Sequence, residues 1–444
     1  MMRETALLPV AALALCSAAA AAPSYELTPK VLRVGTETTL TVRGLNAESR
    51  LDDGQEYLTR VRPMEWKGDG RVSGATDQRA RPKEGVLEFR TRPEAEQEYV
   101  VELVSGDGKQ TLATFRAYAV APDLFVRRPY KGDIHQHSNR SDGKEEPPYV
   151  AAFNRKIGMD FMALTDHRQY APSLEAIRAF EGLPIDLRIY PGEEVHPPET
   201  MVHIVNFGGR FSVNDLFATP EYKQEVARLA ESLKGLPPGI DPKAYAACQW
   251  SFAKIREGGG VGIFCHPYWV TGNAYNVPEA LIDRFFAEKP FDAYELIGGY
   301  WKNQTESNAL QVARYYQEVA RGRRIPVVGV SDGHGTAAGL HQWYYTIVFA
   351  RSPAMADLRQ AIVDDYSLAV EHLPEQPAAR PYGPFRLVKY ASFLLREVLP
   401  AHDALCAEEG ELMLAHVGGD ATAAAKLKPL QGRVAALYRK LWAQ

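Results

Sequence analysis

The chain has 444 residues, 45% of them hydrophobic and 24% charged, so it can form two or three cores and is neither disordered nor fibrous. Its 51 basic and 55 acidic residues leave a net charge of −4, and no basic run is suited to following a nucleic-acid backbone. Composition and charge therefore argue against nucleic acid as a partner.

Residues 1–22 combine one arginine, an apolar stretch over 6–16 and an alanine run before a proline, a pattern typical of a secretory signal peptide. The sequence therefore predicts an exported protein, periplasmic or secreted. No later stretch reaches the roughly 20 uninterrupted apolar residues of a membrane span, so none is expected. The three cysteines that remain after cleavage have no CxxC spacing and are expected to be buried thiols. They are Cys248, Cys265 and Cys406.

The pattern over residues 24–122 is that of β-strands. Leu40 and Val42 alternate with polar neighbours, and Tyr99, Val101 and Leu103 do the same. The dipeptide at 107–108, Asp-Gly, predicts a tight turn between the last two strands. We expect an all-β, Ig-like sandwich. It either packs beside the rest of the chain or binds a partner on its surface.

Short apolar runs alternate with helix-length segments over residues 128–373, which predicts an α/β sheet or barrel. The runs lie near Ile134 and at 161–164, 187–190, 202–207, 261–264, 293–297, 325–330 and 344–349. Helices are predicted over 221–236, 245–257 and 308–321. A Pro-rich joint then leads into a helical extension over 380–444, with helices expected at 385–399, 400–417 and 429–443. Leu430, Val434, Leu437 and Leu441 recur at helical spacing there, which predicts a stripe that docks on the barrel.

Histidines and carboxylates recur at the ends of these apolar runs. Six of the chain's 11 histidines lie in the strings GDIHQHSNRSDG, MDFMALTDH, YPGEEV, MVHIVNFG, GVGIFCHP and VVGVSDGH. Buried charges must be paired or bound to metal, so packing alone does not explain their convergence at successive strand ends. The nine predicted metal ligands are His135, His137, Asp142, His167, Glu194, His203, His266, Asp332 and His334.

Taken alone, each position also has a plainer interpretation. His135 and His137 are two apart, so on a strand they leave the same face, but an isolated HxH is often solvated or packed in a core. His203, within its predicted strand, can be a buried histidine satisfied by the backbone. Asp142 follows on a turn that Gly143 permits.

Two positions leave a choice open. In Thr-Asp-His at 165–167, His167 is the expected ligand and Asp166 the acceptor that fixes its tautomer, although Thr and Asp also cap helices. Glu194 is the expected carboxylate of the next strand. Glu193 is its rival, because alternation directs only one of two adjacent side chains inward.

The series HxH…SDG, TDH, GxE, a strand histidine, HP and SDxH resembles the PHP (polymerase and histidinol phosphatase) superfamily of metallohydrolases over about residues 130–350. The opening RPYKGDIHQHS and the segment FLLREVLPAHDALCAEEG look like its exported carbaryl-hydrolase-type branch. The resemblance implies a distorted (β/α)7 barrel with up to three divalent metals at its carboxyl-terminal rim: zinc, manganese or iron. It implies that His135, His137, Glu194 and Asp332 hold one ion, Glu194, His203 and His266 a second, and Asp142, His167 and His334 a third.

The resemblance further implies hydrolysis of a small-molecule phosphate ester by a metal-bridged hydroxide, with no protein nucleophile. Hydrolysis of a carboxylic or carbamate ester is the enzymatic alternative, and a non-catalytic periplasmic metal- or carbohydrate-binding protein is the other. Arg140 and Arg168 stand beside ligand motifs and can clamp an anionic group, or they are surface arginines. Tyr268 and Tyr300 follow strand ends and form either an apolar substrate wall or ordinary rim packing. The oligomeric state stays open.

Overall fold

The computed structural model describes residues 25–65, 75–299, 304–338 and 340–444. The predicted signal segment at 1–22 and Tyr300 lie outside the described residues. Within the described ranges the chain is a mixed α/β protein preceded by a β region, as the sequence predicted.

Two facing sheets form the N-terminal region. One has the order β1–β3–β6 and the other β2–β8–β7–β4–β5. The strands are β1 (Tyr25–Thr28), β2 (Val31–Arg33), β3 (Thr38–Gly44), β4 (Tyr57–Pro63), β5 (Thr76–Ala80), β6 (Val86–Thr91), β7 (Gln97–Val104) and β8 (Thr111–Val120). The predicted alternation is confirmed, since Leu40, Val42, Tyr99, Val101 and Leu103 share one buried cluster. In the predicted turn, Gly108 adopts a left-handed backbone conformation with a φ of 75°.

A ring of strands follows. It is built from β9 (Arg128–Asp133), β10 (Phe161–Ala163), β12 (Gly192–Val195), β13 (Ile204–Phe207), β14 (Val261–Phe264), β17 (Ala293–Ile297) and β18 (Val327–Gly329). Backbone pairing joins β9 to β10 and runs continuously from β12 to β18. Two isolated bridges, His167 to Glu194 and Gln136 to Gly333, link these two parts and close the ring. A buried cluster from these strands, including Phe161 and Val205, fills the interior.

One strand of the ring runs against the others. β13 pairs antiparallel with both β12 and β14, whereas β14, β17 and β18 are parallel to one another. The start of β13 therefore lies at the same rim as the carboxyl ends of its neighbours. The sequence predicted His203 within this strand, but the residue immediately precedes it. The reversal still brings His203 to the rim where the other predicted ligands lie.

Outside the ring, β9 and β10 continue into a six-stranded sheet of order β11–β10–β9–β19–β20–β21. Its outer strands are β11 (Arg188–Tyr190), β19 (Tyr344–Ala350), β20 (Ser367–Glu371) and β21 (Arg380–Tyr382), and a short hairpin comprises β15 (Val270–Thr271) and β16 (Ala274–Tyr275). The helices here are α1 (Pro122–Phe125), α2 (Pro147–Lys156), α3 (Ala171–Ala179), α4 (Pro220–Ser232), α5 (Pro242–Glu257), α6 (Glu279–Glu288), α7 (Thr305–Ala320) and α8 (Met355–Val363).

The three helices predicted in this region are confirmed as α4, α5 and α7. Two of them begin at residues whose side chains cap the first turn: Thr219 accepts from the Tyr222 amide at 3.3 Å, and Asp241 accepts from the Lys243 amide at 2.8 Å. The cysteines Cys248, Cys265 and Cys406 are buried and unbridged, as expected. Among the helices of the described ranges, none combines the length and apolar character needed to cross a membrane.

The C-terminal extension consists of α9 (Phe385–Glu397), α10 (Leu399–Val417), α11 (Ala423–Leu427) and α12 (Arg433–Leu441). Val434 and Leu441 are buried in the core shared with the α/β region and Leu437 packs against it, which confirms docking at these three positions. Leu430 lies in a short 3-10 helix before α12 and is not part of this core. The last helix begins at Arg433 and not at 429, because Gly432 before it adopts a left-handed φ of 78° that interrupts the helix.

A buried charge cluster ties α10 to the amino end of β10. His402 places Nε2 at 2.9 Å from Asp160 and Nδ1 at 2.9 Å from Asp403. Arg155 contacts both Asp160 and Glu409, and Lys131 contacts Asp403 at 2.9 Å. Three acidic groups thus meet two basic side chains and a histidine whose two nitrogens both face carboxylates. We call this set of six residues the floor cluster; it lies at the end of β10 opposite to His167.

Candidate metal centre

Glu194 is the residue around which the predicted ligands gather. It lies in β12, is fully buried, and its two oxygens face different histidines. Oε1 lies 2.7 Å from His203 Nδ1, 3.5 Å from His266 Nε2 and 3.6 Å from His135 Nε2. Oε2 lies 3.7 Å from His137 Nε2 and also contacts His167 Nδ1. This arrangement is the one a carboxylate needs in order to bridge two cations.

A second carboxylate, Asp332, lies beside the first pair of histidines. Its Oδ1 is 2.8 Å from His137 Nε2 and 3.3 Å from His135 Nε2. The three residues have ligand atoms close enough to one another to share an ion. His135, Glu194 and His266 form another such group.

The third group of donors surrounds Asp142. Its oxygens lie 3.2 Å from His334 Nε2 and 3.3 Å from His167 Nε2. His137 joins this group through Nδ1, which is 3.9 Å from Asp142 Oδ1. His137 therefore stands between two groups of donors, whereas the sequence had assigned it to one ion only. All nine predicted ligands are thus brought together at one rim.

The choice between Glu193 and Glu194 is decided by the two faces of β12. Glu193 points away from the cluster, and its carboxylate accepts hydrogen bonds from Ser212 Oγ at 2.8 Å, Asn214 Nδ2 at 2.8 Å and the Val213 amide at 2.5 Å. It also accepts from Asn206 Nδ2 at 3.1 Å. Four hydrogen bonds from the surrounding loop and strand therefore satisfy the carboxylate of Glu193, whereas the carboxylate of Glu194 faces the histidines.

Several buried atoms of the cluster lack a hydrogen-bond partner of acceptable geometry. Within the described residues these are His135 Nε2, His137 Nδ1, both oxygens of Glu194, His203 Nδ1 and His266 Nδ1. Each buried polar atom left unsatisfied costs about 1–3 kcal/mol. Nitrogen lone pairs and carboxylate oxygens are the donors that zinc, manganese and iron bind, so the residues present fit such ions.

The charges of the cluster are strongly coupled. Burial by itself would raise the pKa of Glu194, but the adjacent His203 and His135 hold it well below the usual range. Burial would lower the pKa of His167, yet Asp142 and Glu194 raise it to about 10. For His137, burial outweighs the nearby carboxylates and its pKa is lowered.

The backbone is strained where it leaves three of the ring strands. Arg168, His266 and Asp332 have φ values of 59°, 23° and 45°, in a region that residues other than glycine seldom adopt. Each lies within a few residues of the end of β10, β14 or β18 and is a predicted ligand or adjacent to one. Strain of this kind persists where the surroundings hold a functional geometry in place.

Two residues of the centre were missed from the sequence. His196 lies 3.0 Å from His167 Nδ1 through its Nε2, and its ring stacks on His203 with centroids 4.0 Å apart. Its position two residues after Glu194 was the available signal, because i and i+2 share a strand face. Glu295, in the middle of β17, accepts a hydrogen bond from His135 Nδ1 at 2.9 Å. A carboxylate inside the apolar string AYELI was the signal there.

The expectation for Asp166 is wrong. Its carboxylate does not contact His167 but accepts from the Ser138 amide and hydroxyl, both at 2.9 Å, and from Ser141 Oγ at 2.7 Å. Asp166 therefore orders the loop that follows His137. His167 Nδ1 instead contacts Glu194 Oε2 and lies 3.0 Å from His196 Nε2.

The predicted substrate residues occupy different surroundings. Arg168 lines a cavity of about 350 Å³ together with His196, Thr200, Asn214 and Phe217, and within the described residues its guanidinium has no hydrogen bond or ion pair. Arg140 is engaged by Glu175 at 2.7 Å and by Glu146 at 2.6 Å.

Tyr268 is 7% exposed, and its hydroxyl lies 3.1 Å from Glu279, so it packs in the core beneath the rim. Tyr300 lies outside the described residues, so its predicted role stays a prediction.

No family model matches the sequence, and no curated protein matches it. The chain is similar to solved structures at low identity. One is a two-domain protein from Bacteroides vulgatus whose name describes a predicted PHP-like metal-dependent phosphoesterase, with 18% identity over 57% of this chain and 68% of that one and a TM-score of 0.38. Another is an amidohydrolase from Chromobacterium violaceum, with 20% identity over 46% of this chain and 88% of that one and a TM-score of 0.29. The N-terminal region is similar to the Lin-41 filamin domain, with 14% identity over 22% of this chain and 92% of that one and a TM-score of 0.16.

Proposed function

We propose that this protein is a metal-dependent hydrolase of the PHP type, built on a distorted (β/α)7 barrel, that cleaves a phosphate ester at a centre of up to three divalent ions. The observation that supports it is a buried carboxylate, Glu194, whose two oxygens lack hydrogen-bond partners of acceptable geometry and face different histidines. Metal ions bound between these groups would satisfy the two carboxylate oxygens and the ring nitrogens that face them.

Each of three groups of side chains would hold one ion. Asp332 with His135 and His137 serves the first, and Glu194 with His203 and His266 the second. A third would be held by Asp142, His167 and His334. Glu194 is shared by the first and second. When bound, clustered divalent ions activate water near neutral pH and neutralise charge on a phosphoryl group.

Arg168 is the side chain that we expect to bind the substrate directly. Its guanidinium lines the cavity next to the centre and donates no hydrogen bond to any described residue. A planar guanidinium matches the oxygens of a phosphoryl group, so Arg168 is placed to bind and orient that group. His196 lines the same cavity and contacts His167 of the centre at 3.0 Å, so the cavity adjoins the predicted ligands.

The same centre is able to hydrolyse a carbamate or carboxylic ester, as the carbaryl-hydrolase-type resemblance implies. Burial of Tyr268 and the bond of its hydroxyl to Glu279 give no support to an aryl-binding wall at this residue. A free guanidinium beside the centre favours an anionic substrate. We therefore place phosphate ester hydrolysis first.

The test is hydrolysis of an aryl phosphate monoester, its diester and an aryl methylcarbamate by the purified protein, with zinc or manganese and with a chelator. Cleavage of a phosphate that the chelator abolishes supports the proposal. Cleavage of the carbamate alone moves the protein to the ester-hydrolase alternative. Bound metal with no turnover of any substrate supports the binding-protein alternative.

We also propose that the protein is exported, on the basis of the signal-like residues 1–22. Expression of the full chain in a Gram-negative host tests this. The N-terminus of the periplasmic form is expected close to residue 23, and an intact N-terminus in the cytoplasm contradicts export.

A further inference from the structure

A carboxylate outside the nine predicted ligands lies behind the centre. Glu295 is in the middle of β17, between Tyr294 and Leu296, and is fully buried. β17 contributes none of the predicted ligands, although it lies in the ring between β14 and β18, which lead into His266 and Asp332. Glu295 is therefore a charged side chain on a strand that otherwise only packs.

No lysine or arginine of the described residues forms an ion pair with Glu295. Within the described residues, its only side-chain hydrogen bond is the 2.9 Å contact of Oε2 with His135 Nδ1, and Oε1 has no hydrogen-bond partner. A buried carboxylate costs several kcal/mol unless it is paired. A folded protein retains such a group where a nearby positive charge compensates it.

The hydrogen bond with Glu295 decides how His135 presents its ring. An ionised carboxylate only accepts, so Nδ1 must carry the proton and donate it. Nε2 then faces the centre, 3.3 Å from Asp332 Oδ1 and 3.6 Å from Glu194 Oε1, and it has no hydrogen-bond partner. The carboxylate thus fixes the tautomer and the orientation in which Nε2 is free to bind a cation.

We propose that Glu295 is a positioning residue that holds His135 through Nδ1 and supplies a negative charge behind the metal centre. This inference rests on the proposed metal centre but not on the identity of the substrate. Removing a carboxylate of this kind from behind a ligating histidine typically lowers metal affinity 10- to 100-fold.

A competing role for Glu295 is that of a direct ligand. The ligand atoms of Glu295, His135 and Cys265 lie close enough to one another to share an ion. A direct ligand and a positioning residue differ in what their loss removes. Loss of a ligand removes one bound ion, whereas loss of a positioning residue weakens binding at unchanged stoichiometry.

The experiment compares Glu295→Gln and Glu295→Ala with the wild-type protein. Metal stoichiometry is measured after reconstitution, and dissociation constants are measured by chelator competition. Glu318→Gln is the matched control, because Glu318 on α7 is also fully buried but pairs with Arg314, Arg321 and Arg323. The melting temperature of each metal-free variant reports on folding.

We expect a 10- to 100-fold weaker affinity for Glu295→Ala with the number of ions unchanged. Glu295→Gln keeps an oxygen that accepts from His135 Nδ1, so its loss is smaller, and Glu318→Gln binds metal as the wild type does. If the alanine variant does not fold, an affinity of Glu295→Gln equal to that of the wild type overturns the inference.

Affinity of the folded alanine variant within two-fold of wild type, or loss of a whole equivalent of metal, also overturns it. A wild-type protein that binds metal but cleaves no phosphate ester refutes the proposed function and leaves the inference about Glu295 to be decided by the affinities. A wild-type protein that binds no divalent ion overturns both.

Discussion

Replacing the two adjacent glutamates of β12 one at a time separates metal binding from folding. Glu193 and Glu194 share a strand, are both fully buried and differ only in the face they occupy. Glu193→Gln and Glu194→Gln each remove one negative charge at nearly constant volume. They form a matched pair in which each variant is the control for the other.

The magnitude for Glu193→Gln follows from its hydrogen bonds. Two donors contact each oxygen: Asn206 and the Val213 amide on Oε1, and Ser212 and Asn214 on Oε2. An amide replaces one oxygen by a donor, so two bonds to a charged group are lost. At about 1.5–3 kcal/mol each, the loss is about 3–6 kcal/mol. We expect this destabilisation both with and without metal.

Glu194→Gln should act on metal instead. The carboxylate faces the histidines of two proposed ions, so the variant is expected to lose up to two equivalents and to retain at most the ion held around Asp142. Metal at 1,000 times its dissociation constant stabilises a protein by about 4.1 kcal/mol per site. The rise in melting temperature on adding metal should therefore persist in Glu193→Gln and fall to about a third or less in Glu194→Gln.

Thermal unfolding with and without zinc, together with metal analysis of the dialysed proteins, measures both effects. Full metal content in Glu194→Gln, or loss of metal in Glu193→Gln, would refute the assignment of Glu194 as the shared carboxylate.

Three further predictions concern pH, the substrate and the floor cluster. In the metal-free protein the pKa of His167 is raised from its usual 6.5 to about 10, so the charged ring stabilises the fold fully below pH 6.5 and this contribution is lost as pH rises toward 10. The melting temperature of the metal-free protein should therefore fall over that range, and saturating metal should remove the fall. Arg168→Ala should raise KM for a phosphate ester at least ten-fold with metal content unchanged. Arg140→Ala is the control, because its guanidinium is already bound to Glu175, Glu146 and Asn139, and it should leave KM near wild type. His402→Ala should lower the free energy of unfolding by about 3–5 kcal/mol, measured with denaturant, and leave the metal content intact. A decrease below about 1 kcal/mol, or an equal decrease for His416→Ala on the same helix, would contradict the stabilising role of the floor cluster.

The sequence by itself determined most of the secondary structure and the residue types that form the candidate centre. Alternation in β3 and β7 and the apolar runs of the ring strands record which faces are buried, and burial is what those patterns encode. The donor residues were also visible, because histidines and carboxylates are rarely placed at successive strand ends for packing. These features depend on residue type and local spacing, which the sequence contains in full.

Only the tertiary structure decided which donors meet and which residues support them. The reversed direction of β13 brings His203 to the rim from the start of its strand, and no local pattern records strand direction. Glu193 and Glu194 were equivalent in sequence until the partners of each face of β12 were known. The role proposed for Glu295 depends on its hydrogen bond with His135, which lies 160 residues away along the chain. Contacts of this range depend on how the ring closes, because closure brings together side chains whose separation along the chain carries no information about their distance in space.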